Sequence, residues 1–142
     1  MTPENAYRDL ADRVEGATGP DRGLDCAIAD AVGAWPEGWV KHLPGMGAPF
    51  AYHNPNGGAE WMEAPAYTSS IDEALTLVPL RTDDGNYTWA AGDCHENEYD
   101  SWACITEPPE RSADFTAHAA TPALALTAAA LRAHAARIGR VG

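Results

Sequence analysis

The sequence predicts an α+β fold: one domain with a mostly antiparallel sheet and helices packed on its faces. Three observations predict it. Both ends of the chain repeat apolar residues at three- and four-residue steps, the helical period. The middle carries short apolar runs between clusters of Pro, Gly, Asn and Asp, the pattern of strands and turns. The helical stretches open on a capping residue, with Pro in the first turn of the two terminal ones. At 142 residues the chain has the length of a single domain, with no internal repeat or linker to mark a second one.

The first helix spans 3–16. Thr2 and Pro3 supply the N-cap and the first-turn proline. Tyr7, Leu10, Ala11 and Val14 form one apolar stripe, and Gly16 and Gly19 are expected to stop it. A second helix spans 20–33, opened by Thr18 and Asp21 at capping-box spacing and closed by Gly33. Leu24, Ile28, Ala31 and Val32 repeat at helical spacing. Pro36, Pro44, Pro49 and Pro55 exclude a long helix in the next segment. Short strands are expected at 39–43, 50–53 and 61–63, with Asn54-Pro55-Asn56-Gly57-Gly58 turning between the last two.

Ser70 and Glu73 have the S-x-x-E spacing of a capping box, followed by Ile71, Ala74, Leu75 and Val78 as an apolar face and by Pro79. Residues 80–92 read as a hairpin turning at Asp83-Asp84-Gly85-Asn86. The acidic stretch 92–100 reads as a loop, 100–106 as a strand, and 115–117 as an edge segment. The final helix runs from Thr121 and Pro122 to about Ile138, with Leu124, Ala128, Leu131, Ala135 and Ile138 in one stripe. Arg132, His134, Arg137 and Arg140 gather where positive charge meets the negative end of the helix dipole.

Net charge is −12, from 21 acidic and nine basic residues. Duplex nucleic acid is therefore not an expected partner, since phosphate neutralisation needs clustered Lys and Arg. A small anion remains compatible, because single arginines and helix N-termini bind one locally. No apolar run reaches the length of a membrane span, so no membrane partner is expected. Three cysteines without an export signal predict reduced thiols and a cytoplasmic protein.

Tyr67, Thr68, Ser69 and Ser70 bring hydroxyls and amides to a helix start, where they either cap the helix or hold an anion. Arg22 and Arg81 stand out as guanidinium forks in an acidic background, or as members of surface ion pairs. Trp35, Trp39, Trp89 and Trp102 offer indole faces for stacking, or bulk for an alanine-rich core. Trp35 and Trp39 are expected at the surface, and Trp89 and Trp102 on a shared sheet face. Cys94, His95, Glu96 and Cys104, with His118 or Cys26, are of metal-ligating type but lack paired motif spacing, so no metal and no cofactor is assigned. The nucleophile elbow, P-loop and dinucleotide fingerprint are absent, and no catalytic residue is assigned.

Three phrases, Arg13–Arg22, Ala64–Pro79 and Ala119–Leu126, together resemble the phage ABA sandwich domain family of small prophage proteins. The resemblance covers somewhat under half of the chain and departs most at 92–100. It implies helical layers on both faces of the sheet and a phage origin, and it carries no catalytic residues over. The expected function is a phage accessory protein that binds and sequesters a small anionic ligand without turning it over. A nucleotide-derived host immune signal, sequestered as an anti-defence measure, is the sharpest form of that expectation, with a homo-oligomer as the working assembly. Alternatives are a protein-interaction module, either a phage structural accessory or an inhibitor of a host protein, and a metal-assisted hydrolase using His95 and Glu96.

Overall fold

A computed structural model describes residues 2–34, 37–41, 51–53, 61–78, 85–93, 101–108 and 113–141. In chain order the elements are α1 (Pro3–Gly16), α2 (Arg22–Val32), β1 (Val40–Lys41), β2 (Ala51–His53), β3 (Trp61–Glu63), α3 (Ile71–Leu75), β4 (Thr88–Asp93), β5 (Ser101–Glu107), β6 (Ala113–Ala119) and α4 (Pro122–Val141). Two antiparallel three-stranded sheets result, ordered β1-β2-β3 and β4-β5-β6. Helices pack against the second sheet, making a small α+β domain.

Local chemistry accounts for the helix ends. The Thr2 hydroxyl accepts from Asn5 N–H at 3.2 Å, and Pro3 occupies the first turn, where its missing donor costs nothing. Glycine does not stop α1. The chain turns extended at Ala17 (φ −72°, ψ 142°), whose N–H bonds back to Val14. In α2 the cap is Asp21 itself, its carboxylate accepting from Leu24 N–H at 3.0 Å, so the helix starts at Arg22 rather than at 20. Gly33 ends it in the left-handed conformation (φ 67°) that a side chain would disfavour. Ser70 caps α3 by accepting from Glu73 N–H. Ile71, expected on the buried face, is 39% exposed instead; Ala74, Leu77 and Val78 face the core.

Strands β4 and β5 form an antiparallel pair, and residues 94–100 of the acidic stretch lie outside the described residues. Asp93 and Ser101 are register partners, and the Ser101 hydroxyl donates to the Asp93 carboxylate at 3.0 Å, closing the end of that pair. Thus β4 runs through Gly92 and Asp93 and pairs with β5. The expected lead-in at Leu80 and Arg81 and the turn at 83–84 lie outside the described residues. Strand β6 is longer than the expected 115–117.

Along β5 burial alternates strictly: Ser101, Ala103, Ile105 and Glu107 are buried, while Trp102, Cys104 and Thr106 are half-exposed. Trp89 is register partner to Ile105, and Gly92 to Trp102. Side chains alternate faces along a strand, so Trp89 and Trp102 project from opposite faces, not from a shared one. The Trp102 indole lies across Gly92, where an added Cβ would meet its Nε1 at 3.2 Å. The outer edge of β6 is closed by side chains: Glu15 accepts from His118 N–H at 3.1 Å and Arg132 donates toward Thr116 O. Such capping blunts an edge that would otherwise template strand pairing.

Helix α4 is the centre of the molecule. Every residue from Ala123 to Leu131 is buried, so the helix is covered all round rather than along one stripe. Its neighbours are α1, α3 and all three strands of the second sheet. Alanine makes this possible, because small side chains let neighbouring backbones approach to the short end of the usual helix-packing range. Trp39, Trp89 and Trp102 are not fully buried; bulk in the core comes from Leu10, Ile28, Ile105, Leu124, Leu126 and Leu131. Replacing Ala129 by Leu is therefore expected to cost about 1–3 kcal/mol through overpacking, measured by denaturant unfolding.

Candidate functional site

Two neighbouring features use residues 64–78, one structural and one open. The structural one joins the first turn of α2 to residues 64–68. Asp25 is fully buried; its Oδ2 accepts from Arg22 Nη1 at 2.7 Å and its Oδ1 from Thr68 N–H at 2.8 Å. Arg22 Nη2 donates to Ala64 O at 2.7 Å. The Thr68 hydroxyl accepts from Asp21 N–H at 2.9 Å and donates to Asp21 O at 3.3 Å. A carboxylate is tolerated at full burial because a guanidinium and an amide both point at it.

This network engages several groups that the sequence offered to an anion. Arg22 is committed to Asp25 and Ala64, and the Thr68 amide and hydroxyl to α2. The Ser69 hydroxyl donates to Ala66 O at 3.4 Å, and the Ser70 hydroxyl caps α3.

The open feature is a cleft of about 490 Å³ between the C-terminal end of α2, residues 65–67, α3 with the turn after it, and the last turns of α4. Val32, Pro65, Leu77 and Val78 supply apolar wall; Tyr67, Glu73, His134 and Arg137 supply polar groups. Its volume falls in the usual range of small-molecule sites, about 300–1,000 Å³.

Tyr67 is held by its backbone: Thr127, buried on α4, donates its hydroxyl to Tyr67 O at 2.9 Å. The ring is buried, yet its hydroxyl has no hydrogen-bond partner among the described residues. Burial, reinforced by the Glu73 and Asp25 carboxylates, pushes this phenol up to about 12, so it is a neutral donor. His134 stacks on Tyr7, with centroids 5.5 Å apart and planes 17° apart. Its Nε2 lies 2.6 Å from Leu77 O, a geometry that requires Nε2–H to donate. Burial lowers the His134 pKa below its ordinary value, with the carbonyl opposing and Arg137 assisting. The ring is therefore neutral at pH 7, and it ties α4 to the turn after α3. Tyr7 in turn donates to Ala31 O at 3.0 Å, joining α1 to α2.

Arg137 and Glu73 differ from the other charges of the region. Arg132 is held by Glu15 and Asp12 of α1, and Arg8 by Glu4. Arg137 and Glu73 both line the cleft, yet among the described residues neither has an ion pair, with the other or with anything else. Among the described residues, one cation and one anion without an ion pair and one buried tyrosine with an unpartnered hydroxyl thus line a single concavity.

Of the residues proposed from sequence, Tyr67 lines this cleft, and Arg22 and Thr68 lie in the network beside it. Trp39 is half-buried against the core; Trp89 is 42% exposed on β4 and Trp102 half-exposed on β5. Trp35 and Arg81 lie outside the described residues, as do Cys94, His95 and Glu96. Among the described residues no group of metal-ligating side chains comes together, and no helix is long and apolar enough to cross a membrane. Sequence reasoning passed over Glu73, His134 and Arg137 as site residues. Glu73 carried a capping signal and the other two a helix-terminus signal, and neither points to a cavity.

Comparison with protein-family models, with curated proteins and with solved structures finds no match to this chain.

Two outcomes follow. Asp25→Ala is expected to cost about 3 kcal/mol, since it strands the buried Thr68 amide and frees Arg22; urea unfolding measures it. The second is the response to acid. His134 has a folded pKa below 6.5, so the unfolded chain takes up the proton first as pH falls through that value. Glu15 has a folded pKa below 4.5, chiefly from its Arg132 hydrogen bond, so that pair stabilises above 4.5 and is lost further down. Thermal melts are expected to decline in two stages, one starting near 6.5 and one below 4.5. His134→Gln removes the first and keeps the second.

Proposed function

We propose that this protein is a small-ligand-binding protein that holds, rather than transforms, a compound bearing a negatively charged group in the Tyr67–Arg137 cleft. The observation that carries this reading is one cleft lined both by Arg137, which has no ion pair among the described residues, and by the buried Tyr67, whose hydroxyl has no hydrogen-bond partner among them. Buried polar groups are almost always satisfied, and a concavity with an apolar wall and a few unsatisfied polar groups is what a ligand completes. Arg137 takes the anionic group, Tyr67 donates one hydrogen bond, and Leu77 and Val78 cover the ligand's apolar body. The cation of the proposed site is thus Arg137 rather than Arg22. The resemblance to small prophage proteins supplies the setting of the proposal: sequestration of a signalling metabolite inside an infected bacterial cell, nucleotide-derived host immune signals being one such class.

A second reading, a protein-interaction module or homo-oligomer, is favoured by β4. It is the outer strand of its sheet, Thr88, Trp89 and Ala90 are exposed, and among the described residues nothing caps it as Glu15 and Arg132 cap β6. A self-associating edge would give a dimer by light scattering that Trp89→Lys dissociates.

The binding reading is tested by isothermal titration with a panel of anion-bearing compounds: nucleoside monophosphates, cyclic nucleotides, ADP-ribose, aromatic carboxylates and amino acids. At least one is expected to bind, and Arg137→Ala to weaken it at least about tenfold, the worth of one charge-assisted hydrogen bond. Absence of heat with every member overturns the reading.

A further inference from the structure

The charges lining the cleft narrow the ligand's chemistry. At neutral pH its five polar side chains comprise one guanidinium, one carboxylate, one neutral phenol, one neutral imidazole and the Thr76 hydroxyl, which donates to Glu73 O. The lining therefore carries no net charge, although the protein carries −12. Its two charges are of opposite sign, line the same concavity, and do not neutralise each other. Two such groups usually collapse into an ion pair when their side chains reach. Here they sit on different elements, Glu73 in α3 and Arg137 near the end of α4, and the His134–Leu77 bond ties α4 to the turn after α3.

A polyanion fits this arrangement poorly. A second phosphate would find no second cation among the described lining residues, and it would meet the Glu73 carboxylate and the negative field of the whole chain. A ligand with one negative and one positive group satisfies both free charges without changing the net charge of the site, and its approach is not opposed by that field.

We propose that the ligand is a zwitterion of amino-acid type: its carboxylate is bound by Arg137, its ammonium by Glu73, and its apolar side chain by the wall of Val32, Pro65, Leu77 and Val78. The Tyr67 hydroxyl donates to the second carboxylate oxygen. This inference rests on the cleft being a binding site, and it names the class of compound held there. Specificity comes from both charges together, since a ligand lacking either one leaves a protein charge desolvated and unpaired.

The test is titration calorimetry on the full chain with L-phenylalanine, 3-phenylpropanoate, 2-phenylethylamine and AMP. These share an aromatic body and differ in charge. Phenylalanine is expected to bind at least about tenfold tighter than each of the others, one charged hydrogen bond being lost in each. Glu73→Gln is expected to erase the preference for phenylalanine over 3-phenylpropanoate, and Arg137→Gln to weaken both. Melting temperatures establish that each variant is folded. Should 3-phenylpropanoate or AMP match phenylalanine, the zwitterion assignment fails while the anion-binding reading stands. Should 2-phenylethylamine match it, the role of Arg137 fails and both fall. Should no compound here or in the wider anion panel bind, both fall as well.

Discussion

The constraint on which the rest depends is the burial of α4 on all sides. A helix sheathed by a sheet and by other helices cannot carry a polar face. Between Ala123 and Leu131 it carries alanine and leucine, with Thr127 the one polar side chain. Close approach of α1, α3 and the sheet follows from the small size of those alanines. So does intolerance of bulk, because packing this close leaves no slack for an added methylene to occupy. Thr127 must find a partner in that setting, and it finds the carbonyl of Tyr67. The most buried element of the fold thereby sets the position of Tyr67, which lines the cleft.

Around this axis the charged residues divide into two kinds. Those that pin elements together are paired: Arg22 with Asp25 across the start of α2, and Arg132 with Glu15 and Asp12 between α4 and α1. The buried Asp25 network is specific because it uses amides and hydroxyls as well as charge, so residues 64–68 can sit against α2 in one register only. The other kind, Glu73 and Arg137, is unpaired at the cleft. The contrast is physical: a paired charge lowers the energy of the fold, while an unpaired charge in a concavity is available to a ligand.

His134 links these two roles. Stacked on Tyr7 and bonded to Leu77 O, it is a structural cross-brace, yet it also lines the cleft. Its neutrality at pH 7 keeps the lining balanced; in acid a proton taken up at Nδ1 would leave the Nε2–H bond to Leu77 O in place and set a buried positive charge beside Arg137. Ligand retention and local stability are therefore coupled through one imidazole.

Much of the fold was legible in the sequence because its signals are local. Thr2 with Pro3, Asp21, Ser70 and Thr121 each mark a helix start through a hydroxyl or carboxylate three residues from a free amide, a relation that needs no tertiary contact. Strand β5 and the short strands of the first sheet follow from alternation and turn chemistry in the same way. Where the sequence misled, the deciding partner was distant. Ile71 fits a helical stripe but faces solvent, because α3 is too short to choose its own face. Spacing along the chain does not separate the faces of Trp89 and Trp102; the register does, placing Ile105 opposite one and Gly92 opposite the other. Periodicity showed the stripe of α4 but not the burial of its other faces, since alanine is equally at home inside and outside. The sequence by itself determined the α+β class, the order of most elements and their caps. Only the tertiary structure decided which of its charges are spent on one another and which remain free, because an ion pair is a matter of distance across the fold, and spacing along the chain does not encode it.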